Sequence, residues 1–367
     1  MKLFINLALS TVMLGLCLYL VWPAAPERAQ LSLAVDALRW SEFAPDLALY
    51  LSLMLVVHFA RSWRWNNLLA PVGIKLGAGP LLAISSVGFL AILALPARLG
   101  EFVRPGLLRG RGKISTAEAL GTVAVERIVD GMMVSLFVFG AFFSLRGPNA
   151  PGWMMPTAYT ALGIFSAALV FLILALRKPQ PTVTFFLKLS LLPHFAPRIA
   201  AIIETKLLEL IRGCAALKDA KHLSIFTAWS VLYWSANGVS LWVLARAFHL
   251  DLSITGAFAT MGLVAVGISL PNAPGLVGQF QVFTMMGLQI YLGASVMKGG
   301  SHHATALAFA IAHHILQVIW YTVTGALAIA SPWVSFKDLK KARHANDSVD
   351  AVEGSAPLPT AIANDQG

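Results

Sequence analysis

The sequence predicts an all-α polytopic membrane protein, an inverted repeat of helices with two re-entrant hairpins broken at Pro96–Gly100 and Pro271–Gly275. Three observations predict it. Of 367 residues, 57% are hydrophobic and only 12% charged, with a mean hydropathy of +0.74; a soluble domain carries about 25% charged residues. Apolar runs near 20 residues recur along the whole chain, unlike the short alternating segments of a membrane barrel. Two of those runs, one per half, end in Pro and Gly together, which a continuous helix does not accommodate.

The apolar runs fall at about 3–22, 45–60, 80–95, 114–145, 157–176, 222–248, 254–270, 276–293 and 304–330. Leu3 to Val21 is long enough to span and reads as an uncleaved first span rather than a signal peptide. Lys and Arg in the loops set the orientation. Loop 23–44 balances Glu27, Asp36 and Glu42 against Arg28 and Arg39, so it reads as external. The next loop holds Arg61, Arg64 and Lys75 without an acid and reads as cytoplasmic. Arg98, Arg104, Arg109, Arg111 and Lys113 follow the 80–95 run and also read as cytoplasmic. That run therefore enters from the cytoplasm, turns at Pro96 to Gly100 and returns.

Segment 128–145 then goes out and 157–176 comes back, since loop 177–221 carries Arg177, Lys178, Lys188, Arg198, Lys206 and Arg212. Segment 222–248 goes out, and 304–330 runs inward to reach Lys337, Lys340 and Lys341. The pair 254–270 and 276–293 must then open from outside. The halves, about 1–146 and 157–331, are thus inverted within one membrane domain, 1–335. A plain bundle of eight or nine full spans is the alternative. Both termini are expected on the cytoplasmic side of a bacterial inner membrane, with 336–367 as a disordered tail that has no apolar period.

Loop 177–221 is expected to hold an amphipathic helix, because Ile199, Ile202, Ile203, Leu207, Leu210 and Ile211 recur near helical spacing beside basic residues. The net charge of +10 sits in a few loops, which fits orientation and anionic lipid rather than nucleic acid. Cys17 and Cys214 are the only cysteines and have no redox or metal spacing. Adjacent His313 and His314 point about 100° apart on a helix and form no metal pair. Trp63, Trp65, Trp229, Trp234 and Trp320 read as interface anchors or core. There is no nucleophile elbow, phosphate loop, zinc-protease motif or acid dyad, so neither an enzyme nor a cofactor is expected.

The charges at membrane depth carry the functional reading, since such groups are costly unless they line a path or pair with one another. Around the first break stand Pro96, Arg98, Gly100, Glu101 and Arg104. Arg98 and Arg104 suit a phosphate, because guanidinium offers a planar bidentate fork. Glu101 either balances them in the empty site or carries a proton. Glu126 and Asp130 lie four apart on one helix face, with Arg127 three from Asp130. They either organise the arginines around a substrate or form a salt-bridge lock. The second break, with Pro271, Asn272, Pro274, Gly275 and Gly278, has no charge, and Gln279 and Gln281 are its other polar side chains.

The run Leu95-Pro96-Ala97-Arg98-Leu99-Gly100-Glu101-Phe102-Val103-Arg104, then Glu126-Arg127-Ile128-Val129-Asp130, then Pro271 to Gly278, resembles the lysylphosphatidylglycerol synthase transmembrane family. It is also called the flippase-like or UPF0104 family, and the resemblance covers about 1–335. It implies a membrane domain that moves a lipid between leaflets, with Arg98, Glu101, Arg104, Glu126, Arg127 and Asp130 at the substrate and the Pro and Gly positions as hinges. Bifunctional members carry an aminoacyl-transferase domain after the spans; only a short tail follows residue 331 here, so a stand-alone member without that reaction is expected. A neutral amide at Gln279, where the family more often has an acid, weakens proton coupling at the second break. The expected partner is an anionic phospholipid or lipid-linked phosphate; the oligomeric state is left open, a homodimer included. The alternatives are an accessory scaffold for glycolipid or envelope synthesis, and a membrane-embedded lipid-phosphate transferase or hydrolase.

Overall fold

A computed structural model of the chain describes residues 32, 39–109, 114–144, 152, 154–270 and 274–334. Among them no strand occurs, as fits segments that must satisfy their own backbone groups in lipid. The helices are α1 (Trp40–Leu69), α2 (Ala78–Ala94), α3 (Val103–Arg109), α4 (Thr116–Ser144), α5 (Met154–Arg177), α6 (Pro179–Leu189), α7 (Leu192–Phe195), α8 (Pro197–Gly213), α9 (Ala220–Ala247), α10 (Ile254–Gly267), α11 (Gln279–Leu292) and α12 (His303–Ile329). Trp40–Val72, Tyr159–Arg177 and α12 are long and apolar enough to cross a membrane, and α2 and α10 are shorter apolar helices. The expected first span and the tail from 336 lie outside the described residues.

Local chemistry sets the helix starts. Proline opens α6 and α8, where its missing N–H costs nothing. Asp219 accepts the His222 N–H at 3.0 Å ahead of α9, and Ser253 accepts the Gly256 N–H at 3.1 Å ahead of α10. α1 stops only at Pro71 and Gly73, the latter at φ 81°. The expected loop positions of Arg61 and Arg64 are therefore corrected. Both lie inside α1, and Lys75 is the remaining cation of that connection.

The polarity of α12 is reversed relative to a helix on a soluble protein. Ile315, Ile319, Val323 and Leu327, four apart, are half or more exposed. His313, Gln317 and Tyr321 line a cavity. An apolar outside and a polar inside is the pattern of a helix between lipid and a polar interior.

Two helical hairpins sit one in each half. In the first, α2 runs into a 3-10 segment, Pro96–Phe102, and returns as α3. Gly88 lies against Arg104, and a Cβ on Gly100 would fall 2.2 Å from the Ala91 carbonyl carbon. The turn thus packs backbone to backbone on α2, and α3 lies against Gly88 through Arg104. In the second, α10 passes through a 3-10 segment, Pro274–Leu276, to α11, with Gly267 against Phe283 and Gly287 against Thr260. The return arms differ: α3 has 7 residues and α11 has 14. α2 also packs against α12 and against the 3-10 segment of the second break.

The expected loop 177–221 folds as α6, α7 and α8. Ile203, Leu207, Leu210 and Ile211 of α8 pack into the core, while Ile199 and Ile202 stay exposed. Gly121 and Gly213 let α4 and α8 touch at backbone distance. Cys214 follows on a 3-10 segment and is a free, fully buried thiol rather than a loop residue.

Two apolar cores fill the bundle. One joins Tyr50, Met54 and Val57 of α1 to Leu244, Leu288 and Phe309. The other joins Trp65 and Leu68 of α1 to Ile84, Leu107, Val125 and Phe226. α1, α4 and α9 contribute to both, and where they pass between the cores they carry Arg64, Glu126, Asp130 and Ser230. Gly100→Val should break the close first hairpin. An overpacking cost of about 1–3 kcal/mol is expected as a lower unfolding midpoint of detergent-purified protein.

Candidate functional site

The polar layer between the cores is built on Glu126. Its Oε1 accepts from Arg64 at 3.0 Å and from Arg127, and its Oε2 accepts from Arg104 at 3.1 Å. Asp130, one turn on, takes both ends of the Arg64 fork at 2.6 and 2.8 Å and the indole N–H of Trp234 at 2.9 Å. Arg127 lies 3.3 Å from Asp130, and Ser230 accepts from Arg64 at 3.2 Å. Arg64, Arg104 and Glu126 have no exposed surface. Charges so buried are tolerable only when paired and hydrogen-bonded. Aromatic faces supply the rest: Arg64 sits 4.7 Å from the Tyr233 ring centroid, and Arg104 5.0 Å from that of Trp65.

Above this layer lies a cavity of about 330 Å³. Arg61, Arg127 and Asp130 line its charged end; Trp234, Phe280, His313 and Gln317 line other walls. Arg61 makes no ion pair among the described residues. Its guanidinium rests 4.0 Å from the Phe89 ring centroid and donates to the Tyr321 hydroxyl at 3.3 Å. Arg61, Arg64, Arg104 and Arg127 together face the carboxylates of Glu126 and Asp130, with the charge of Glu101 also acting on Arg127. Even with Glu101 counted, the region keeps a surplus of positive charge.

The sequence-derived candidates divide. Glu126, Arg127 and Asp130 meet as expected, and Arg104 joins them through Glu126. Arg104 is sealed under Gly88 and does not line the cavity. Pro96 and Arg98 belong to the 3-10 turn, and their side chains lie outside the described residues. Arg61 and Arg64 were missed because the apolar run ends at Ala60, just before Arg61. The usable signal was the spacing Val57, Ala60, Arg64, Leu68, which continues one helix face with no Gly or Pro before Pro71.

At the second break, Pro271 and Asn272 lie outside the described residues, as does the Pro274 side chain. Gly275 and Gly278 take φ 75° and 79°, which favours glycine. A single relay ties them to α12. The Gly278 N–H donates to Gln281 Oε1 at 2.9 Å, Gln281 Nε2 donates to His314 Nδ1 at 2.8 Å, and His314 Nε2 donates to the Gly275 carbonyl at 2.7 Å. Gln279 donates separately to the Gly267 carbonyl at 2.6 Å. His314 thus clamps the hinge, a role that residue type and spacing do not signal.

Arg64→Met should leave Asp130 short of its main partner, a cost of about 3–5 kcal/mol. Adding Asp130→Asn should recover part of it. Thermal unfolding of the singles and the double measures this coupling; strict additivity would show that the pair does not hold the layer.

Residues 3–325 match the family model described as Lysylphosphatidylglycerol synthase TM region. No curated protein and no solved structure matches the chain.

Proposed function

This chain belongs to the Lysylphosphatidylglycerol synthase TM region family, and on that premise we propose that it is an integral membrane lipid transporter of the flippase type. It is a membrane protein of lipid metabolism or transport by family and by its apolar helices. The finer reading is that it moves an anionic, phosphate-bearing lipid between the leaflets of an inner membrane. The observation that carries it is Arg61, a guanidinium facing the cavity with no carboxylate partner among the described residues, beside a surplus of positive charge. An anionic oxygen is the partner such a fork favours. The volume suits a headgroup, being at the low end of small-molecule pockets of about 300–1,000 Å³. Acyl chains would lie along the exposed apolar faces of helices such as α12.

In this reading the two hairpins act as inverted gates, with Gly100 and Gly278 as hinge points. Arg127 and Asp130 bound the headgroup, and Arg98, on the turn of the first hairpin, meets it during passage. Arg104 and Glu126 hold the floor in place. The chemistry is movement rather than bond making. A scaffold role through α6 to α8 is the second reading, favoured by the exposed Phe185, Leu189 and Phe195 on that segment.

Proteoliposomes carrying labelled phosphatidylglycerol test the transporter reading. Arg61→Gln should slow lipid movement about tenfold or more, the worth of one charge-assisted hydrogen bond, with an unchanged unfolding midpoint, because Arg61 holds no buried carboxylate. Arg98→Gln should slow it as well. Wild-type rates in both folded variants would sink the transporter reading and leave the scaffold one, which predicts loss on replacing the exposed residues of α6 and α7.

A further inference from the structure

The segment between α5 and α9 carries an apolar face that neither core covers. Val183 and Leu187 of α6 are buried in the second core, which fixes that helix by one side. Its other side shows Phe185, 61% exposed, and Leu189, 68%, and α7 continues the face with Phe195, 78%. Leu191 between them and Ile199 at the start of α8 are exposed too. α8 is held in turn on α4 by the close contact at Gly121 and Gly213. Large apolar side chains displayed together from rigid supports mark a contact surface.

Two observations say what covers it. The first is continuity with a lipid-facing helix. Tyr159–Arg177 is long and apolar enough to cross a membrane, and its Phe171 is exposed. Phe186 of α6 packs edge-on against Phe171 with ring centroids 5.4 Å apart, and Phe185 packs the same way on Phe186. Phe171 stands six residues before Arg177, a rise of about 9 Å. α6 therefore turns back along the end of the span instead of rising clear of it. With Arg177 and Lys178 at headgroup level, that depth matches the roughly 5–10 Å to which an interfacial helix sinks its apolar face.

The second observation is charge. Arg177, Lys178, Lys188 and Arg198 are exposed along the same segment, and the sequence has no acidic residue from 131 to 203. The next acids, Glu204 and Glu209, are engaged by Gln180 and by Ser115 and Lys206. Lys188 lies between buried Leu187 and exposed Leu189, a placement from which its flexible stem carries the ammonium up to the phosphates. An apolar face edged by cations alone complements an anionic lipid surface.

We infer that α6 and α7 form an interfacial anchor. Their aromatic and leucine side chains sink into the leaflet at the Arg177 end of α5, and their basic residues rest on anionic lipid phosphates. The occupant is the lipid surface and not the transported molecule, so the inference stands apart from the transporter reading. It assigns to lipid the face that the scaffold reading gives to a protein. Through α8 the anchor is tied to α4, the helix of Glu126 and Asp130.

Fluorescence quenching tests this on the full chain. One fluorophore is placed at Phe195→Cys, with Cys17→Ser and with Cys214 left buried, in vesicles of phosphatidylcholine and phosphatidylglycerol in equal parts. Leu189→Cys is a second label site. Both side chains are exposed, so neither exchange opens the core. Either lipid with a nitroxide near the top of its acyl chain should quench the label, and iodide in the water should quench it weakly. Nitroxide phosphatidylglycerol should quench more than nitroxide phosphatidylcholine. Lys188→Gln with Arg198→Gln should remove that excess, about fivefold in lipid preference for each charge, while the label keeps its contact with lipid. Arg61→Gln should leave the excess unchanged, because Arg61 faces the cavity. Quenching by iodide and not by lipid at both sites places the face in water, open to a soluble protein, and overturns the inference. Protection from both quenchers marks a protein contact and overturns it too. Equal quenching by the two lipids in wild type, or an excess that survives loss of Lys188 and Arg198, overturns the anionic-surface assignment. Loss of the excess in Arg61→Gln would trace the signal to the cavity and overturn it as well. None of these outcomes reads lipid movement, so the transporter reading stands or falls separately.

Discussion

Everything in the polar layer depends on one carboxylate. Glu126 receives Arg64 from α1, Arg104 from α3 and Arg127 from its own helix. Arg64 and Arg127 also pair with Asp130, but Arg104 meets only Glu126 among the described carboxylates, and a lone buried charge is far costlier than a paired one. The same contacts fix geometry. Arg104 anchors the return arm of the first hairpin to α4, and Arg64 anchors α1 to α4 and, through Ser230, to α9. A layer often regarded as weak evidence for stability here sets the relative positions of four helices.

That layer also explains why the cavity above it is charged rather than neutral. Glu126 is saturated, and Asp130 is shared among Arg64, Arg127 and Trp234. Among the described residues Arg61, one turn before Arg64 on the same helix, pairs with no acid and rests on ring faces and a phenol hydroxyl. Aromatic faces lower the cost of holding a cation without neutralising it. The field at the cavity floor is therefore positive, and α12 brings neutral polar groups to the other wall.

Much of this was legible in the sequence, and the parts that were not share a cause. The two hairpins follow from Pro and Gly at the ends of apolar runs, and the Glu126-Arg127-Asp130 cluster from charges inside one. Composition locates anomalies well when the surroundings are apolar. Arg61 and Arg64 escaped because a charge following an apolar run looks like its end, although the helical face continues to Leu68. His313 and His314 escaped for the opposite reason. Their roles depend on Gln317, one turn away, and on Gly275 and Gln281, 33 or more residues away in the chain. Only the packing of α11 on α12 brings those partners together.

The relay at the second break has a direction. Each donor fixes the next group: the Gly278 N–H sets which way the Gln281 amide points, and that amide sets the His314 tautomer, which leaves one N–H for the Gly275 carbonyl. Three bonds in series therefore share one arrangement of protons. Each bond thus constrains its neighbours, and together they hold Gly275 and Gly278 at a fixed spacing against α12.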